Sequence, residues 1–108
     1  MRNICICGGG SLGHTIAGHI AAQGKNSVSV LTSRPKQWKK ELQIYTPDNE
    51  VLIGKLSQVS DKAALLIPNA DIILICVPGF GIENVLQQIK PYLTEKQFLG
   101  SVVSSTGF

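Results

Sequence analysis

Hydrophobic positions along the chain follow two alternating patterns. Short runs that are mostly apolar alternate with longer segments in which apolar residues recur at helical spacing. The runs predict buried strands at Asn3 to Cys7, Val28 to Leu31, Asp71 to Val77 and Phe98 to Val103. Strands that alternate with helices predict parallel pairing through right-handed crossovers.

The helical spacing predicts a first helix that starts near Ser11 and stops near Gly24, since Gly13, Ile16, Ala17, Ile20 and Ala21 form one apolar face. A second long helix carries Ile82, Val85, Leu86, Ile89 and Leu93, and Pro91 ends or bends it. Shorter helices are predicted at Lys36 to Leu42, after Pro35, and at Lys62 to Ile67, capped by Asp61 and ended by Pro68.

A hairpin is predicted between the second strand and the short helix at 62–67. Ile44-Tyr45-Thr46 and Val51-Leu52-Ile53 flank the turn sequence Pro47-Asp48-Asn49-Glu50. The second arm is expected to continue through Gly54 towards Val59.

Together these elements predict one α/β domain over residues 1–108. The expected fold is a Rossmann-type doubly wound, mostly parallel sheet of strand order 3-2-1-4-5, with a β-hairpin inserted after strand 2. The runs that begin at Asn3, Val28, Asp71 and Phe98 are strands 1, 2, 4 and 5 of this order. In such a sheet the ligand crevice lies at the carboxyl ends of strands 1 and 4.

Composition narrows the class of protein. The 108 residues suit one domain, and 44% hydrophobic with 16% charged residues suit a buried sheet. A net charge of +3 is too small to indicate nucleic acid, and neither a leader peptide nor a membrane-length apolar run is evident. The three cysteines predict reduced thiols in the cytoplasm. Cys5 and Cys7 are interpreted as small core residues in preference to a metal pair.

The first strand ends in a glycine motif. Gly8, Gly10 and Gly13 fit G-x-G-x-x-G between a strand and a helix, which predicts a dinucleotide pyrophosphate site. Gly8 would make the turn, Gly10 would let the backbone approach the pyrophosphate, and Gly13 would let the helix pack on the sheet. The N–H groups near Ser11, Leu12 and Gly13 would face the phosphates.

The second strand ends without the acid that favours NAD. No Asp or Glu precedes Glu41, and the strand is followed by Thr32, Ser33 and Arg34. Hydroxyls beside an arginine suit a 2′-phosphate, so the prediction is NADP, with NAD as the alternative. The competing interpretation is that Arg34 is simply a solvated charge.

A few residues outside these two motifs are further candidates for contacts with the cofactor. Val77, Pro78, Gly79 and Phe80 would border the nicotinamide, or form a helix-start turn, or both. Trp38 would pack on the sheet edge or cover the adenine, and the lysines around it form a solvated face. His14 and His19 are interpreted as surface or phosphate-adjacent residues, so no catalytic residue and no metal site is predicted.

Three stretches and the hairpin together resemble a known family: Ile4 to His14, Val30 to Pro35, and Ala70 to Phe80. They resemble the amino-terminal domain of the NAD/NADP octopine (opine) dehydrogenases, and are similar also to ketopantoate reductases and glycerol-3-phosphate dehydrogenases. The resemblance implies an oxidoreductase acting on a keto or imino acid. It also implies a second, mainly helical domain outside these 108 residues, which binds substrate and supplies the catalytic histidine. The alternative is a non-catalytic nucleotide-sensing module; pairing into a homodimer is also considered.

Overall fold

The computed structural model describes residues 2–8, 11–45, 47–77 and 79–101, without the side chains of Ser11, Leu12, Gly79 and Phe80. The strands are β1 (Asn3–Cys7), β2 (Ser27–Leu31), β3 (Glu41–Tyr45), β4 (Val51–Lys55), β5 (Gln58–Ser60), β6 (Ile72–Ile75) and β7 (Phe98–Ser101). The α-helices are α1 (Ser11–Ala22), α2 (Ala63–Leu66) and α3 (Gly79–Ile89). Short 3₁₀ turns occupy Pro35–Gln37, Ile67–Asn69 and Lys90–Tyr92.

The central sheet has five strands in the order β5-β2-β1-β6-β7. Each pairing in it is parallel, and Cys7 of β1 lies between Leu31 of β2 and Ile75 of β6. This confirms the predicted order 3-2-1-4-5, with β5, β6 and β7 as the third, fourth and fifth strands. The chain moves outward from β1 to β5, then crosses to β6 and continues to β7, so the direction of winding reverses between β1 and β6.

Both faces of the sheet are covered, which is why its strands are nearly continuous apolar runs. On the α1 face, Ile4 and Ile6 pack with residues of α1 and of β2. On the α3 face, Cys5 and Cys7 pack with residues of α2, α3 and β6. The side chains of β1 therefore alternate between two cores, as the two-residue period of a strand requires.

The hairpin is confirmed as a separate antiparallel pair, β3 with β4, in which Ile44 lies opposite Leu52. Ile44 is buried, whereas Ile53 on the outer face is 54% exposed. The inner face packs on α1. A Cβ added to Gly54 would lie 2.5 Å from the carbonyl oxygen of Gly18 in α1, so helix and hairpin are in near contact there.

The predicted helix at Lys36 to Leu42 is wrong. Pro35 starts a single 3₁₀ turn, Pro35–Gln37, Trp38 is extended, and β3 begins at Glu41. Residues 41–45 form β3 because Leu42 and Ile44, two residues apart, alternate with exposed side chains; Leu42 joins the α1-face core and Ile44 lies against Gly18 of α1. Tertiary packing on α1 thus overrides a local helix start.

The predicted continuation of the hairpin arm to Val59 is also wrong. β4 ends at Lys55, and Val59 pairs with Val30 of β2 in the central sheet. The chain turns between them, where the N–H of Leu56 donates to the carbonyl of Lys40 and the N–H of Ser57 donates to the carbonyl of Val28. These two hydrogen bonds hold the segment that connects the hairpin to the central sheet.

The short helix near residue 62 forms with different ends from those predicted. Lys62, and not Asp61, precedes α2, and its N–H donates to the Ser60 hydroxyl over 3.1 Å. Pro68 lies inside the following 3₁₀ turn, where its missing N–H costs little.

The later elements agree with the predicted types. β6 is shorter than expected, α3 ends before the turn that contains Pro91, and β7 spans Phe98–Ser101. The predicted continuation of β7 to Val103 lies outside the described residues. Within the described part of the chain, every helix is too short or too polar to cross a membrane.

Candidate functional site

The carboxyl ends of β1, β2 and β6 meet at one edge of the sheet. Cys7, Leu31 and Ile75 lie side by side there, directly before the glycine turn and the ends of β2 and β6. This is the point where the winding direction reverses, which is where doubly wound sheets bind ligands. Among the described residues, the predicted site residues Gly8, Thr32 and Val77 follow these three strands and therefore lie at this edge.

Gly8 makes the turn out of β1 and no larger residue fits its place. Its φ is +134°, a conformation that L side chains rarely adopt. A Cβ there would lie 2.5 Å from the carbonyl oxygen of Cys76 and 2.9 Å from Cγ1 of Val77. Its N–H donates to the carbonyl of Leu31 over 2.9 Å, which joins the turn to the end of β2.

Gly13 brings α1 against that turn. A Cβ at Gly13 would lie 2.9 Å from the carbonyl oxygen of Gly8. α1 begins at Ser11, so the first N–H groups of a twelve-residue helix open at the edge where β1 ends. Such a terminus favours anions. The expected contact of Gly10 lies outside the described residues, as do the side chains of Ser11 and Leu12.

The end of β2 presents hydroxyls and a cation. Thr32 is buried, its N–H donates to the carbonyl of Ser60 over 2.9 Å, and its Oγ1 accepts from the N–H of Arg34 over 3.2 Å. Ser33 and Arg34 are exposed beyond it. The buried threonine thus fixes the turn that carries Ser33 and Arg34. Residues 2–40 contain no acidic side chain.

The end of β6 closes the other side of the crevice. The N–H of Cys76 donates to the carbonyl of Cys7 over 2.8 Å, and half-buried Val77 lies against the position of Gly8. α3 begins at Gly79. The contacts expected for Pro78 and for the side chain of Phe80 lie outside the described residues.

The three cysteines are free and buried. A hydrogen bond with Cys5, together with burial, raises the pKa of Cys7, and burial raises the pKa of Cys76. Cys7 and Cys76 are therefore neutral thiols at pH 7. Their packing in the two cores agrees with their interpretation as small apolar residues.

One contact at this edge was not predicted from the sequence. The rings of His14 and Trp38 lie with centroids 5.4 Å apart and planes tilted by 45°. Trp38 is half-buried against the core of the α1 face. Local sequence carries no signal for the pair, because the two residues belong to different elements.

A cavity of about 140 Å³ lies at the opposite edge of the sheet, between the amino ends of the strands and α2. Its lining comprises Asn3, Ser27, Ser29, Ser57, Gln58, Leu65, Leu66, Asn69 and Ala70. None of these side chains is charged, so the donors that this cavity offers are the neutral hydroxyl and amide groups of its serine, asparagine and glutamine side chains.

Comparison with known proteins gives a family match over almost the whole chain. The family model described as ketopantoate reductase PanE/ApbA matches residues 4–103. Octopine dehydrogenase of Pecten maximus is 27% identical over 120 residues, covering 97% of this chain and 29% of that protein. Glycerol-3-phosphate dehydrogenase [NAD(P)+] of Lawsonia intracellularis is 28% identical over 109 residues, covering 91% of this chain and 30% of that protein.

Solved structures share the fold. An octopine dehydrogenase determined with NADH and L-arginine matches with a TM-score of 0.82 at 24% identity, covering 94% of this chain and 28% of the other. A PanE/ApbA family ketopantoate reductase from Ralstonia eutropha matches with a TM-score of 0.72 at 19% identity, covering 90% and 32%. The chain thus spans about 30% of the length of these relatives.

Proposed function

This chain belongs to the ketopantoate reductase PanE/ApbA family, and we propose that it is the dinucleotide-binding domain of an NAD(P)-dependent oxidoreductase acting on a keto- or imino-acid substrate. The observation that carries the proposal is the turn at Gly8. Its positive φ, and the lack of room for a Cβ beside Cys76, place bare backbone at the switch point of a parallel sheet. Such a turn before a helix N-terminus suits a pyrophosphate.

The pyrophosphate would lie over the turn between Gly8 and Gly13. Support comes from the start of α1 at Ser11, which leaves the first N–H groups of the helix without intrahelical acceptors. Gly10 and Leu12 remain predicted contacts of the same ligand. The macrodipole of α1 adds a favourable interaction with the negative phosphates.

The adenosine ribose would lie at the end of β2, and we propose NADP as the preferred cofactor. The exposed guanidinium of Arg34 follows the buried Thr32, and Ser33 adds a second hydroxyl. A forked guanidinium suits a phosphate, and the missing acid removes the group that would repel one. NAD is the alternative.

The nicotinamide would lie beyond β6, along Val77, Pro78, Gly79 and Phe80. The close approach of Val77 to Gly8 supports this, because it brings the β6 end next to the pyrophosphate turn. Substrate binding and catalysis are proposed for a further domain, since the relatives are about three times as long as this chain. Cytoplasmic location is proposed from the unpaired cysteines.

Two substrate types fit this proposal. The octopine dehydrogenase relatives favour hydride transfer to an imine formed from a keto acid and an amino acid, whereas the family model favours direct reduction of a keto acid. A full-length protein that oxidises NADPH with a keto acid alone would support the second type. A requirement for an added amino acid would support the first, and cofactor binding without any turnover would support a nucleotide-sensing module.

Isothermal calorimetry with NADPH and NADH tests the proposed function. Binding of at least one of them with micromolar to submillimolar affinity is expected. Failure of both to bind at millimolar concentration would reject a dinucleotide site.

Arg34→Ala tests the choice of cofactor, and Lys36→Ala is the matched control because it removes a nearby exposed cation. A charge-assisted hydrogen bond to the 2′-phosphate contributes about 1.5 to 3 kcal/mol. NADPH binding should therefore weaken about tenfold or more in Arg34→Ala, while NADH binding changes little. Equal weakening of both cofactors, or the same loss in Lys36→Ala, would reject the role of Arg34.

A further inference from the structure

The contact between His14 and Trp38 joins two halves of the site. His14 lies in the first turn of α1, next to the N–H groups proposed for the pyrophosphate. Trp38 directly follows the 3₁₀ turn that comes after Arg34. The centroid distance of 5.4 Å and the tilt of 45° are within the range of favourable aromatic pairs.

Trp38 is the anchor of the segment that carries Arg34. Within residues 33–39, Pro35 and Trp38 are half-buried and the other five are exposed, and only Trp38 of the segment packs against the α1-face core. The backbone N–H groups of Gln37 and Trp38 donate to carbonyls inside the same segment, those of Arg34 and Pro35. These bonds shape the turn, but they do not attach it to α1.

We propose that His14 is a positioning residue of the dinucleotide site, which acts by holding the indole of Trp38. A 2′-phosphate and a pyrophosphate are separated by a fixed length on one ligand. Arg34 can therefore bind the 2′-phosphate while α1 binds the pyrophosphate only if Arg34 lies at a suitable distance from the N-terminus of α1. Through Trp38, the imidazole sets that distance. This inference rests on the proposed function and adds a determinant of cofactor selectivity to it.

The role requires a flat ring at position 14 and does not require its proton. Phenylalanine keeps a ring against the indole, and alanine removes it. His19 is an exposed histidine on the same helix and serves as the control position. The variants are His14→Ala, His14→Phe, Trp38→Ala, the double variant His14→Ala with Trp38→Ala, and His19→Ala.

Calorimetry of each purified variant with NADPH and NADH is the first measurement. Loss of an aromatic pair corresponds to about a two- to tenfold change in affinity. His14→Ala should weaken NADPH by that factor and NADH by less, so that the preference for NADPH falls. His14→Phe and His19→Ala should match the wild type, and the double variant should bind no worse than Trp38→Ala alone.

Two outcomes of this titration would overturn the inference. An unchanged NADPH preference in His14→Ala would show that the ring pair positions nothing. Equal losses of NADPH and NADH in His14→Phe and in His14→Ala would show that the imidazole itself contacts phosphate.

A second measurement needs no ligand. Trp38 is the single tryptophan of the sequence, so acrylamide quenching of its fluorescence reports the exposure of that ring. Quenching should be faster in His14→Ala than in the wild type and His14→Phe; equal rates would reject the anchoring contact. If the wild type bound neither cofactor, both the proposed function and the positioning role would be rejected. The quenching rates would still test the contact between the two rings independently.

Discussion

At the residue scale, Gly8 is the one glycine of the described residues that combines a positive φ with an overlap below 3.0 Å for an added Cβ. The φ of +134° excludes most side chains by backbone conformation, and the carbonyl of Cys76 excludes a Cβ by volume. The second constraint exists only because β6 pairs with β1. The glycine pattern in the sequence could indicate a turn, but it could not indicate which strand closes over it.

Gly8→Ala should lower the free energy of unfolding by roughly 2 to 4 kcal/mol, because strain and overlap add. Gly24→Ala is the matched control. Gly24 also has positive φ, +71°, but nothing lies within 4 Å of an added Cβ. Its loss should be about 1 to 2 kcal/mol, the conformational cost alone. Urea denaturation measures both, and equal losses would contradict the role of Cys76 in excluding a side chain.

The buried cysteines give a second prediction at this scale. Their environment raises the pKa of Cys7 and of Cys76, so both thiols stay protonated where an unfolded thiol, of pKa about 8.5, begins to ionise. The contribution of these two thiols to the free energy of unfolding is fully present below the pKa of the unfolded thiols, and it is lost as the pH rises towards the raised pKa values of the folded protein. At pH 8, thiol reagents should therefore modify Cys7 and Cys76 of the folded protein far more slowly than the same residues of the chain in guanidinium. Rapid modification of either residue in the folded protein would contradict the burial.

At the element scale, the hairpin is the part that local pattern described least well. A four-residue turn at 47–50 would place Ile44 opposite Ile53, whereas the structure pairs Ile44 with Leu52, so the predicted register is wrong by one residue. The presence of the turn itself follows from local sequence. The start of β3 does not, because Pro35 and the lysines after it favour a helix. What decides for a strand is packing on α1, where Leu42 joins the α1-face core and the side chain of Ile44 lies against Gly18.

Gly54→Ala tests how closely the hairpin and α1 pack. The added Cβ would lie 2.5 Å from the carbonyl oxygen of Gly18 and 3.0 Å from Cβ of Ala21, so the two elements must move apart. The expected loss is about 1 to 3 kcal/mol in urea denaturation. Gln43→Ala, on the exposed face of β3, should change stability by about 0.5 kcal/mol or less. Similar values for the two variants would contradict close packing at Gly54.

At the scale of the whole molecule, the proposed site draws on three strands and two helix starts that lie far apart in the chain. A ligand held by all of them should stabilise the fold as one unit. At a free NADPH concentration about 100 times its Kd, the gain is about 2.7 kcal/mol, which corresponds to a rise in Tm on the order of 10 °C. Scanning calorimetry measures this shift. Arg34→Ala should show a smaller rise at the same NADPH concentration, and an equal rise would contradict the use of Arg34.

The sequence by itself determined the class of the fold and the place of the glycine turn. Nearly continuous apolar runs specify a sheet buried on both faces, and helical spacing between them specifies parallel crossovers, because each pattern reflects a periodicity of the local backbone. The glycine motif and the acid-free end of the second strand singled out Gly8, Gly13, Thr32 and Arg34, which the structure places next to the carboxyl ends of β1 and β2. Three features depended on the tertiary structure. Residues 41–45 form a strand, β5 pairs with β2 of the central sheet and is not part of the hairpin, and the ring of Trp38 contacts that of His14. Each of these features depends on contacts between elements that are far apart in the sequence, and a local pattern does not indicate which surfaces will pack together.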